Sequence, residues 1–267
     1  MVRCQDGNNH DMEFENMLFN LINLPTDISN IETMTIQSNP SGNPALDKLI
    51  DVIRMEAWMT APLTGRDVMS AATLTAIAGV PREEFVLKAD RELAYQNVPL
   101  GIGFEQTISQ PFIVAMMTDL LAPENDSEVL EIGTGSGYHA AVLAGLARKV
   151  YTVELIVPLA EQARARLALL GYKNIEIETG NGYFGWVAHA PYDAILLTAA
   201  VPEVPDQIIE QLKPGGRLVV PVGLPGENQE LLLISRLKSG RVIRDPILPV
   251  AFGLLRKPDE ESDLQED

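Results

Sequence analysis

Apolar residues follow two patterns along the chain, helical in its first part and strand-like in its second. From Ala45 to Trp58, and again from Asp67 to Ile77, they recur at helical spacing, which predicts a small helical layer. From Glu128 onward, short runs rich in β-branched residues alternate with amphipathic segments. The runs predict strands over 129–132, 150–154, 175–179, 194–198, 217–222, 231–237 and 247–252, and the segments predict helices over 138–147, 158–170 and 205–212.

This alternation indicates an α/β fold. Strand–helix–strand units with right-handed crossovers build a mostly parallel, doubly wound sheet with helices on both faces. The last two of the seven strand runs have no helix between them, so we expect an antiparallel pair at one edge. The predicted architecture is thus a seven-stranded, Rossmann-like sheet preceded by an N-terminal helical layer.

The two ends of the chain differ from the middle. Residues 1–54 are mostly polar around one apolar patch, Met17–Leu24, and are rich in breakers from Ser38 to Pro44. We expect a partly helical extension there. Residues 257–267 predict a disordered acidic tail. The domain that carries function is therefore expected over 55–256.

Composition narrows the classes of function. The 267 residues are 46% hydrophobic, enough for a sizeable core, and carry a net charge of −17. Seven acidic residues against two basic ones lie in the first fifty positions, and six acidic residues with no basic one lie in the last ten. Such a surface repels phosphate backbones, so nucleic acid is not an expected partner, whereas small molecules and peptides are.

The cysteine and histidine content predicts a reducing compartment and no metal site. Cys4 has no partner for a disulfide, and no cysteine or histidine cluster has metal-ligand spacing. No apolar run reaches the roughly 20 residues that span a bilayer, and the acidic N-terminus lacks a signal pattern. We expect a cytoplasmic protein that does not bind membranes.

The sharpest motif is a glycine-rich turn between a strand and a helix. Gly133, Gly135 and Gly137 let the backbone approach a ligand closely. The spacing is G-x-G-x-G, with Tyr138 where a dinucleotide fingerprint has its third glycine, which disfavours a nicotinamide oxidoreductase. Glu131 before the turn suits a cationic or zwitterionic ligand better than a pyrophosphate. S-adenosylmethionine, with a sulfonium and an ammonium group, fits that description.

Two further positions fall at the carboxyl ends of the following strands. Glu154 lies 17 residues beyond Gly137, where a carboxylate can accept hydrogen bonds from both ribose hydroxyls. Asn181 and Gly182 form another tight turn, where Asn181 could meet an adenine edge. Because open α/β sheets bind ligands at this edge, we expect all three turns to surround one site.

From about residue 55 to residue 256 the chain resembles the protein-L-isoaspartate (D-aspartate) O-methyltransferases. The glycine turn is common to many methyltransferases, but the Thr-Ile-Ser-Gln-Pro segment upstream of it is far more specific. The matching stretches are 80–86 (VPREEFV), 99–103 (PLGIG), 106–111 (QTISQP), 131–138 (EIGTGSGY), 180–186 (GNGYFGW), 191–194 (PYDA), 198–200 (TAA) and 212–216 (LKPGG).

The resemblance implies an S-adenosylmethionine-dependent enzyme that methylates the free α-carboxylate of isoaspartyl residues. The methyl ester then leads to a succinimide, which is protein repair. Ser109 is implied as the active-site residue facing the substrate carboxylate, with Thr107 helping to align it, although Ser109 before Pro111 could also be a helix N-cap. The implied cofactor-binding residues are Glu131, Gly133, Thr134, Gly135, Ser136, Gly137, Tyr138, Glu154, Leu155, Asn181, Gly182 and Thr198.

Methyl transfer to a carboxylate requires few catalytic groups. A carboxylate with an ordinary pKa of about 4 is ionised at pH 7, so no general base is needed. The protein must align oxygen, methyl carbon and sulfur and exclude water. We therefore assign no chemistry to His10, His139 or His189, and expect Tyr183 and Trp186 to pack beside the cofactor pocket.

Three positions depart from the family pattern. Asn181 stands where Asp is usual, His139 where Gln is common, and Glu105 where Gly is frequent. Glu105 and the extension motivate an alternative, a dedicated enzyme that methylates an aspartate of one ribosomally made peptide to form an aspartimide. A binding module that has lost turnover is a third hypothesis. In each enzymatic case the partner is an isoaspartyl- or aspartyl-containing protein or peptide; the oligomeric state stays open.

Overall fold

The computed structural model describes residues 42–257, which belong to one compact unit that begins at Pro40. The expectations for the apolar patch Met17–Leu24 and for the acidic tail lie outside the described residues, except that the tail's first residue, Lys257, is included. The proposed boundary between extension and catalytic domain, at residues 54 and 55, falls inside the first helix. Within residues 42–257, no helix combines the length and apolar character needed to cross a bilayer.

The described chain runs through a helical layer, a hairpin and then an alternating α/β region. The helices are α1 (Pro44–Thr64), α2 (Ala71–Ala78), α3 (Pro111–Leu121), α4 (Tyr138–Ala144), α5 (Val157–Leu169) and α6 (Asp206–Glu210). The strands are β1 (Leu100–Gly103), β2 (Gln106–Ile108), β3 (Glu128–Ile132), β4 (Lys149–Glu154), β5 (Ile175–Thr179), β6 (Tyr192–Leu197), β7 (Leu212–Val222), β8 (Gln229–Arg236) and β9 (Val242–Val250). Single 3-10 turns lie at Arg82–Glu84, Lys88–Leu93, Gly182–Phe184 and Val187–His189.

The main sheet has the predicted doubly wound topology. Its seven strands lie in the order β5-β4-β3-β6-β7-β8-β9, parallel from β5 to β7 and antiparallel from β7 to β9. The expected antiparallel pair at one edge is confirmed. The chain moves outward from β3 to β5 and then returns to β6 on the other side of β3. The crevice at that reversal is where such sheets bind ligands.

Side chains of β3 show how the sheet is covered on both faces. Val129 packs in a core cluster with α2, α3, α4 and α5, whereas Leu130 and Ile132 pack in a second cluster that includes Ile208 of α6. Because successive side chains of a strand point to opposite faces, one strand contributes to both layers. Helices thus cover both faces, as the sequence pattern predicts.

The N-terminal helix is longer than its apolar spacing indicates. Asn43, in the segment that reads as breaker-rich, is the N-cap, and its Oδ1 accepts hydrogen bonds from the N–H groups of Ala45 and Leu46. The helix continues to Thr64 and ends at Gly65, which takes a left-handed conformation. The residues that α1 buries are Leu46, Leu49, Ile50, Ile53 and Ala57.

Two local predictions are wrong. The helix expected over 205–212 ends at Glu210, because Leu212 already pairs with Tyr192 and begins β7; the next segment, 213–216, bulges before pairing resumes at Arg217. The hairpin of β1 and β2 is absent from the predicted elements. Its strands are only four and three residues long, so the alternation of buried and exposed positions in β1 is too short to indicate a strand.

Candidate active site

The carboxyl ends of β3, β4, β5 and β6 form one side of a pocket. The segment from Gln106 to Ser109, on the hairpin and the loop to α3, forms the other side. We call these the turn wall and the loop wall. The residues lining the pocket are Gln106, Thr107, Ile108, Ser109, Val114, Ile132, Gly133, Thr134, Gly135, Ser136, Tyr138, His139, Val153, Glu154, Leu155, Ile156, Asn181, Gly182, Thr198, Ala199, Leu254, Leu255 and Arg256.

The first glycine of the turn has no room for a side chain. Gly133 has φ of 99°, and a Cβ on it would lie 2.3 Å from Oγ1 of Thr198. That hydroxyl donates to the carbonyl oxygens of Gly133, at 2.6 Å, and Ile132, at 3.1 Å. The N–H groups of Gly133 and Thr134 both donate to the Val153 carbonyl. Strands β3, β4 and β6 therefore fix the turn through its backbone.

The third glycine serves packing and does not line the pocket. Gly137 has φ of 87° and starts α4, and a Cβ on it would lie 3.1 Å from Leu167 of α5. A glycine here lets the two helices approach closely. Gly137 thus helps to place α4, whose first residue, Tyr138, does line the pocket, and its contact with a cofactor stays a prediction.

Glu154 is in the pocket wall at the end of β4, as the spacing predicts. Its side chain is nearly buried: Oε2 accepts the N–H of Gly135 at 2.7 Å, and Oε1 accepts that of Ile156 at 2.9 Å. Burial raises the pKa of this carboxyl, while the backbone hydrogen bonds oppose the shift. The carboxylate thus binds the backbone of the glycine turn and also faces the pocket.

Glu131 is the clearest correction to the expected site. Its side chain is fully buried and lies beneath the turn, outside the pocket wall, because it points to the opposite face from Ile132. Its Oε2 accepts a hydrogen bond of 2.6 Å from Thr152, whose hydroxyl lies 2.7 Å from that of Thr134. Burial raises the pKa of Glu131 to about 8. The acid supports the turn through two threonines and does not touch the pocket.

The turn after β5 joins the pocket to the end of the described chain. Asn181 lines the wall; its Oδ1 accepts the N–H of Tyr183, and its Nδ2 donates to the Arg256 carbonyl. Gly182 packs so tightly that a Cβ would lie 2.6 Å from Ile132. This turn therefore fixes both the far end of the pocket and the segment that closes it.

The C-terminal segment is a wall that sequence reasoning missed. Ala200 exchanges hydrogen bonds with Gly253, at 2.7 Å, and Leu255, at 2.8 Å, so this stretch runs alongside the end of β6. Leu254, Leu255 and Arg256 thereby enter the pocket wall. No local pattern predicts this placement, because the contact depends on chain folding over more than fifty residues.

Ser109 is in the loop wall, but it is not the helix cap considered from the sequence. The N-cap of α3 is Gln110, whose side chain makes no capping hydrogen bond. The Phe112 N–H at the helix start is accepted instead by Oδ1 of Asn97, and Asn97 donates to Glu56 at 2.6 Å. Within residues 42–257 the Ser109 hydroxyl makes no hydrogen bond, although the Ser109 carbonyl accepts one from Arg82. The hydroxyl is therefore available to a ligand.

Two aromatic residues are not where they were expected. Tyr183 and Trp186 are outside the pocket wall. Trp186 packs edge-on against Tyr151 and His189, whose rings stack 4.2 Å apart, and belongs to the core cluster on the α6 face. The predicted packing beside the cofactor pocket is wrong for Trp186 because β4 directs Tyr151 to that face.

His139 is a pocket residue to which sequence reasoning gave no role. It is buried in α4, and its Nε2 lies 2.9 Å from the Thr118 hydroxyl. Burial lowers its pKa to about 3, so the ring is neutral at pH 7. Its Nδ1 is buried and has no partner among the described residues. The ring is a polar, uncharged part of the wall and not a proton acceptor.

A protein-family model and a named relative both match most of this chain. The family model described as "Protein-L-isoaspartate(D-aspartate) O-methyltransferase (PCMT)" matches residues 56–258. Protein-L-isoaspartate O-methyltransferase 2 of Syntrophobacter fumaroxidans is 49% identical over 205 residues, which cover 77% of this chain and 83% of the relative.

Solved structures show the same fold. A protein-L-isoaspartate O-methyltransferase is 28% identical with a TM-score of 0.69, over 79% of this chain and 66% of that one. A Plasmodium falciparum protein, solved in complex with S-adenosyl-L-homocysteine, is 21% identical with a TM-score of 0.66, over 78% of this chain and 97% of that one. At this identity the likeness shows the fold.

Proposed function

The chain belongs to the protein-L-isoaspartate(D-aspartate) O-methyltransferase family, and on that premise we propose which residues of its pocket hold the cofactor and which receive the substrate. The enzyme is an S-adenosylmethionine-dependent carboxyl O-methyltransferase of protein repair. It methylates the free α-carboxylate of L-isoaspartyl residues in proteins or peptides, and the methyl ester leads to a succinimide. The relatives give no support to a dedicated peptide-tailoring enzyme, so we do not retain that alternative.

The turn wall suits the cofactor. The four residues of the turn from Gly133 to Ser136 line the pocket, and Glu154 faces the same space. We assign the ribose to Glu154, the adenine edge to Asn181 and Gly182, and supporting contacts to Leu155 and Thr198. When bound, S-adenosylmethionine supplies a methyl group that its sulfonium already activates. Glu131 acts beneath the turn.

The loop wall suits the substrate carboxylate. Ser109 offers a hydroxyl that no other described residue uses, and the exposed Thr107 lies two residues before it. A carboxylate with an ordinary pKa near 4 needs no base at pH 7, so these residues have only to orient it and exclude water. The observation that carries the proposal is that the unused Ser109 hydroxyl and the glycine turn line one pocket.

A methanol-release assay with labelled cofactor tests the function. Purified enzyme is given isoaspartyl peptides and matched aspartyl peptides, and we expect turnover of the isoaspartyl set across varied sequences. Release from aspartyl peptides alone would contradict the proposal. If the enzyme binds S-adenosylhomocysteine but turns over neither set of peptides, the result would favour the hypothesis of a binding module that has lost turnover.

The role of Ser109 has its own test. For Ser109→Ala we expect kcat to fall on the order of 100-fold, a typical loss for a group that aligns the reacting atoms, while the Kd of S-adenosylhomocysteine changes less than about twofold. Ser235→Ala, in β8 away from the pocket, is the matched control and should keep both values. Equal losses in turnover and cofactor affinity would remove Ser109 from the substrate side.

Partners and compartment are proposed on general grounds. The net charge of −17 opposes binding to nucleic acid or to anionic membrane surfaces, so we propose isoaspartyl-containing proteins and peptides as the partners. A single cysteine in 267 residues is consistent with a reducing cytoplasm. Fractionation of cells that express the tagged, full-length chain checks the compartment.

A further inference from the structure

Arg82 is a buried arginine that the function described above does not use. It lies in the 3-10 turn Arg82–Glu84 and is 0% exposed. Among residues 42–257 no carboxylate forms an ion pair with it, and its Nε and Nη1 are buried without hydrogen-bond partners. Because guanidinium groups in proteins stay protonated near neutral pH, a full positive charge is present in this part of the core.

Two contacts of the Arg82 side chain reach the two walls of the pocket. Its Nη2 donates to the Ser109 carbonyl oxygen at 2.9 Å. Its guanidinium carbon lies 4.7 Å from the centre of the Tyr138 ring, a cation–π contact with the first residue of α4. One side chain thus connects the proposed substrate loop to the helix that follows the glycine turn.

Stability alone does not account for this residue. Taking a charge out of water is costly, and an apolar side chain of similar volume in place of a buried charge is often neutral or stabilising. Burial lowers the pKa of the Arg82 guanidinium, because the charged form is less stable away from water. The hydrogen bond to Ser109 and the interactions with Tyr138 and Tyr95 offset only part of this cost, since the pKa stays lowered. Groups kept at such a cost cluster at functional sites.

The hydrogen bond also fixes a peptide plane. In a trans peptide the carbonyl and the following N–H point in opposite directions. With the Ser109 carbonyl directed at Arg82, the N–H of Gln110 is directed away from the buried guanidinium. Within the described residues this N–H has no hydrogen-bond partner, and Gln110 is partly exposed. The loop therefore carries a free hydroxyl on Ser109, which lines the pocket, and a free N–H on the next residue, with a positive charge behind them.

We propose that Arg82 is a positioning residue for the substrate carboxylate, acting through the Ser109–Gln110 peptide. It holds this peptide in one orientation, and its charge favours an anion at the loop wall. The inference rests on the proposed role of Ser109. Since the carboxylate loses its charge as the ester forms, a cation behind the loop stabilises the bound substrate more than the transition state.

The kinetic test uses Arg82→Met and Arg82→Lys with an isoaspartyl peptide. For Arg82→Met we expect the peptide KM to rise on the order of 30-fold, the pattern of lost substrate binding. We expect kcat to change little, because lost alignment lowers it while the lost stabilisation of the bound carboxylate raises it. Arg82→Lys keeps the charge without the planar fork and should recover part of the loss. A lysine variant no better than methionine would contradict the role of charge.

A second readout separates positioning from packing. By the cost argued above, Arg82→Met should keep or raise the melting temperature, whereas a structural arginine would lower it. Should Arg82→Met fail to fold, the KM of Arg82→Lys decides, because a purely structural role leaves the KM of the folded enzyme unchanged. A lowered melting temperature with an unchanged peptide KM would overturn the proposal.

Arg166 provides the matched comparison on the turn wall. Its Nη1 donates to the Ser136 carbonyl at 2.7 Å, as Arg82 does to Ser109. Arg166→Met should weaken S-adenosylhomocysteine binding, measured by calorimetry, more than it raises the peptide KM, and Arg82→Met should do the reverse. If the wild-type enzyme binds S-adenosylhomocysteine but methylates no isoaspartyl peptide, the proposed function fails, independently of either variant.

Discussion

The two walls of the pocket are held in different ways. The turn wall is held largely from its own sheet: the N–H groups of Gly133 and Thr134 donate to the Val153 carbonyl, and the Glu154 carboxylate at the end of β4 accepts the N–H of Gly135. The loop wall is held by side chains from other elements: Arg82 binds the Ser109 carbonyl, and Asn97 binds the Phe112 N–H. The support of the cofactor side thus comes largely from neighbouring strands of one sheet, whereas that of the substrate side comes from side chains of separate elements.

The hairpin in the loop wall also carries strain that the turn wall avoids. Its tip, Phe104 and Glu105, has φ of 53° and 56°, the left-handed region, which costs non-glycine residues about 1–2 kcal/mol each. In the turn wall the positive φ values fall on glycines. Left-handed backbone is thus carried by glycines in the turn wall and by residues with side chains at the hairpin tip.

The largest expected effect comes from a single methyl group in the turn wall. Gly133→Ala places a Cβ against Thr198 Oγ1 at a φ of 99°, so the turn must open. We expect the Kd of S-adenosylhomocysteine to rise at least about 100-fold, because a clash with a hydrogen-bonded group inside packed strands cannot relax cheaply. Isothermal calorimetry measures it.

The matched variant for Gly133→Ala is in the hairpin that carries the loop wall. Gly101 of β1 has open space around its Cβ position and no positive φ, so Gly101→Ala should leave the cofactor Kd within about threefold. Gly180 lies at the same sheet edge as Gly133, but like Gly101 it has open space at its Cβ position. Gly180→Ala should therefore also leave the cofactor Kd within about threefold. Similar losses in all three variants would remove the contrast between the walls.

This contrast explains how much of the site the sequence could predict. The turn wall is local: the glycines, Glu154 and Asn181 follow consecutive strands, so the strand pattern alone places them together. The loop wall combines Ser109 with Arg82 and Glu56, which are 27 and 53 positions away along the chain. No periodicity indicates which distant side chain will meet the loop, so only the family resemblance pointed to Ser109.

Glu131 and the C-terminal segment show a second limit. An acid before a glycine turn suits a cationic ligand by charge, but strand alternation decides which face its side chain takes, and the face opposite Ile132 lies beneath the turn. Leu254, Leu255 and Arg256 enter the wall because the chain returns beside Ala200 after β9. Both depend on tertiary packing, which residue type does not encode.

The next largest effect is the pH dependence of stability that the buried Glu131, beneath the turn wall, produces. Burial raises the pKa of Glu131 to about 8, so the folded state keeps its proton where the unfolded state has lost it. Its contribution to stability is complete below the ordinary pKa of about 4.5 and is lost as pH rises through about 8. Glu131→Gln should flatten this decline, by at most about 1.4 kcal/mol per pH unit. Urea unfolding between pH 5 and 8 measures it.

Glu176 is the control with the opposite sign. Lys149 lowers the pKa of this largely exposed carboxyl, so its stabilisation is present above its ordinary pKa and is lost at lower pH. Glu176→Gln should therefore leave the slope of stability between pH 5 and 8 unchanged. If Glu131→Gln also leaves that slope unchanged, its carboxyl is not protonated beneath the turn.

The smallest expected effect is in the loop wall, at Glu105. Its left-handed conformation explains why glycine suits this position, so Glu105→Gly should raise the free energy of unfolding by up to about 1 kcal/mol, the relieved strain less the entropy that glycine loses. The same change removes a negative charge one residue from the pocket-lining Gln106. For isoaspartyl peptides with a neighbouring acidic residue, kcat/KM should rise about twofold at low salt.

Glu105→Gln separates the two consequences of that substitution. It removes the charge and keeps the strained backbone, so it should reproduce the gain in kcat/KM without the gain in stability. Because the side chain is exposed, 0.5 M salt should abolish the kinetic gain of both variants, since the screening length is then under about 10 Å. If only Glu105→Gly raises kcat/KM, and salt does not abolish the gain, then the backbone conformation at position 105 is the cause and its charge is not. The conformation of the main chain would then matter on the substrate side of the pocket, as it does at the glycine turn.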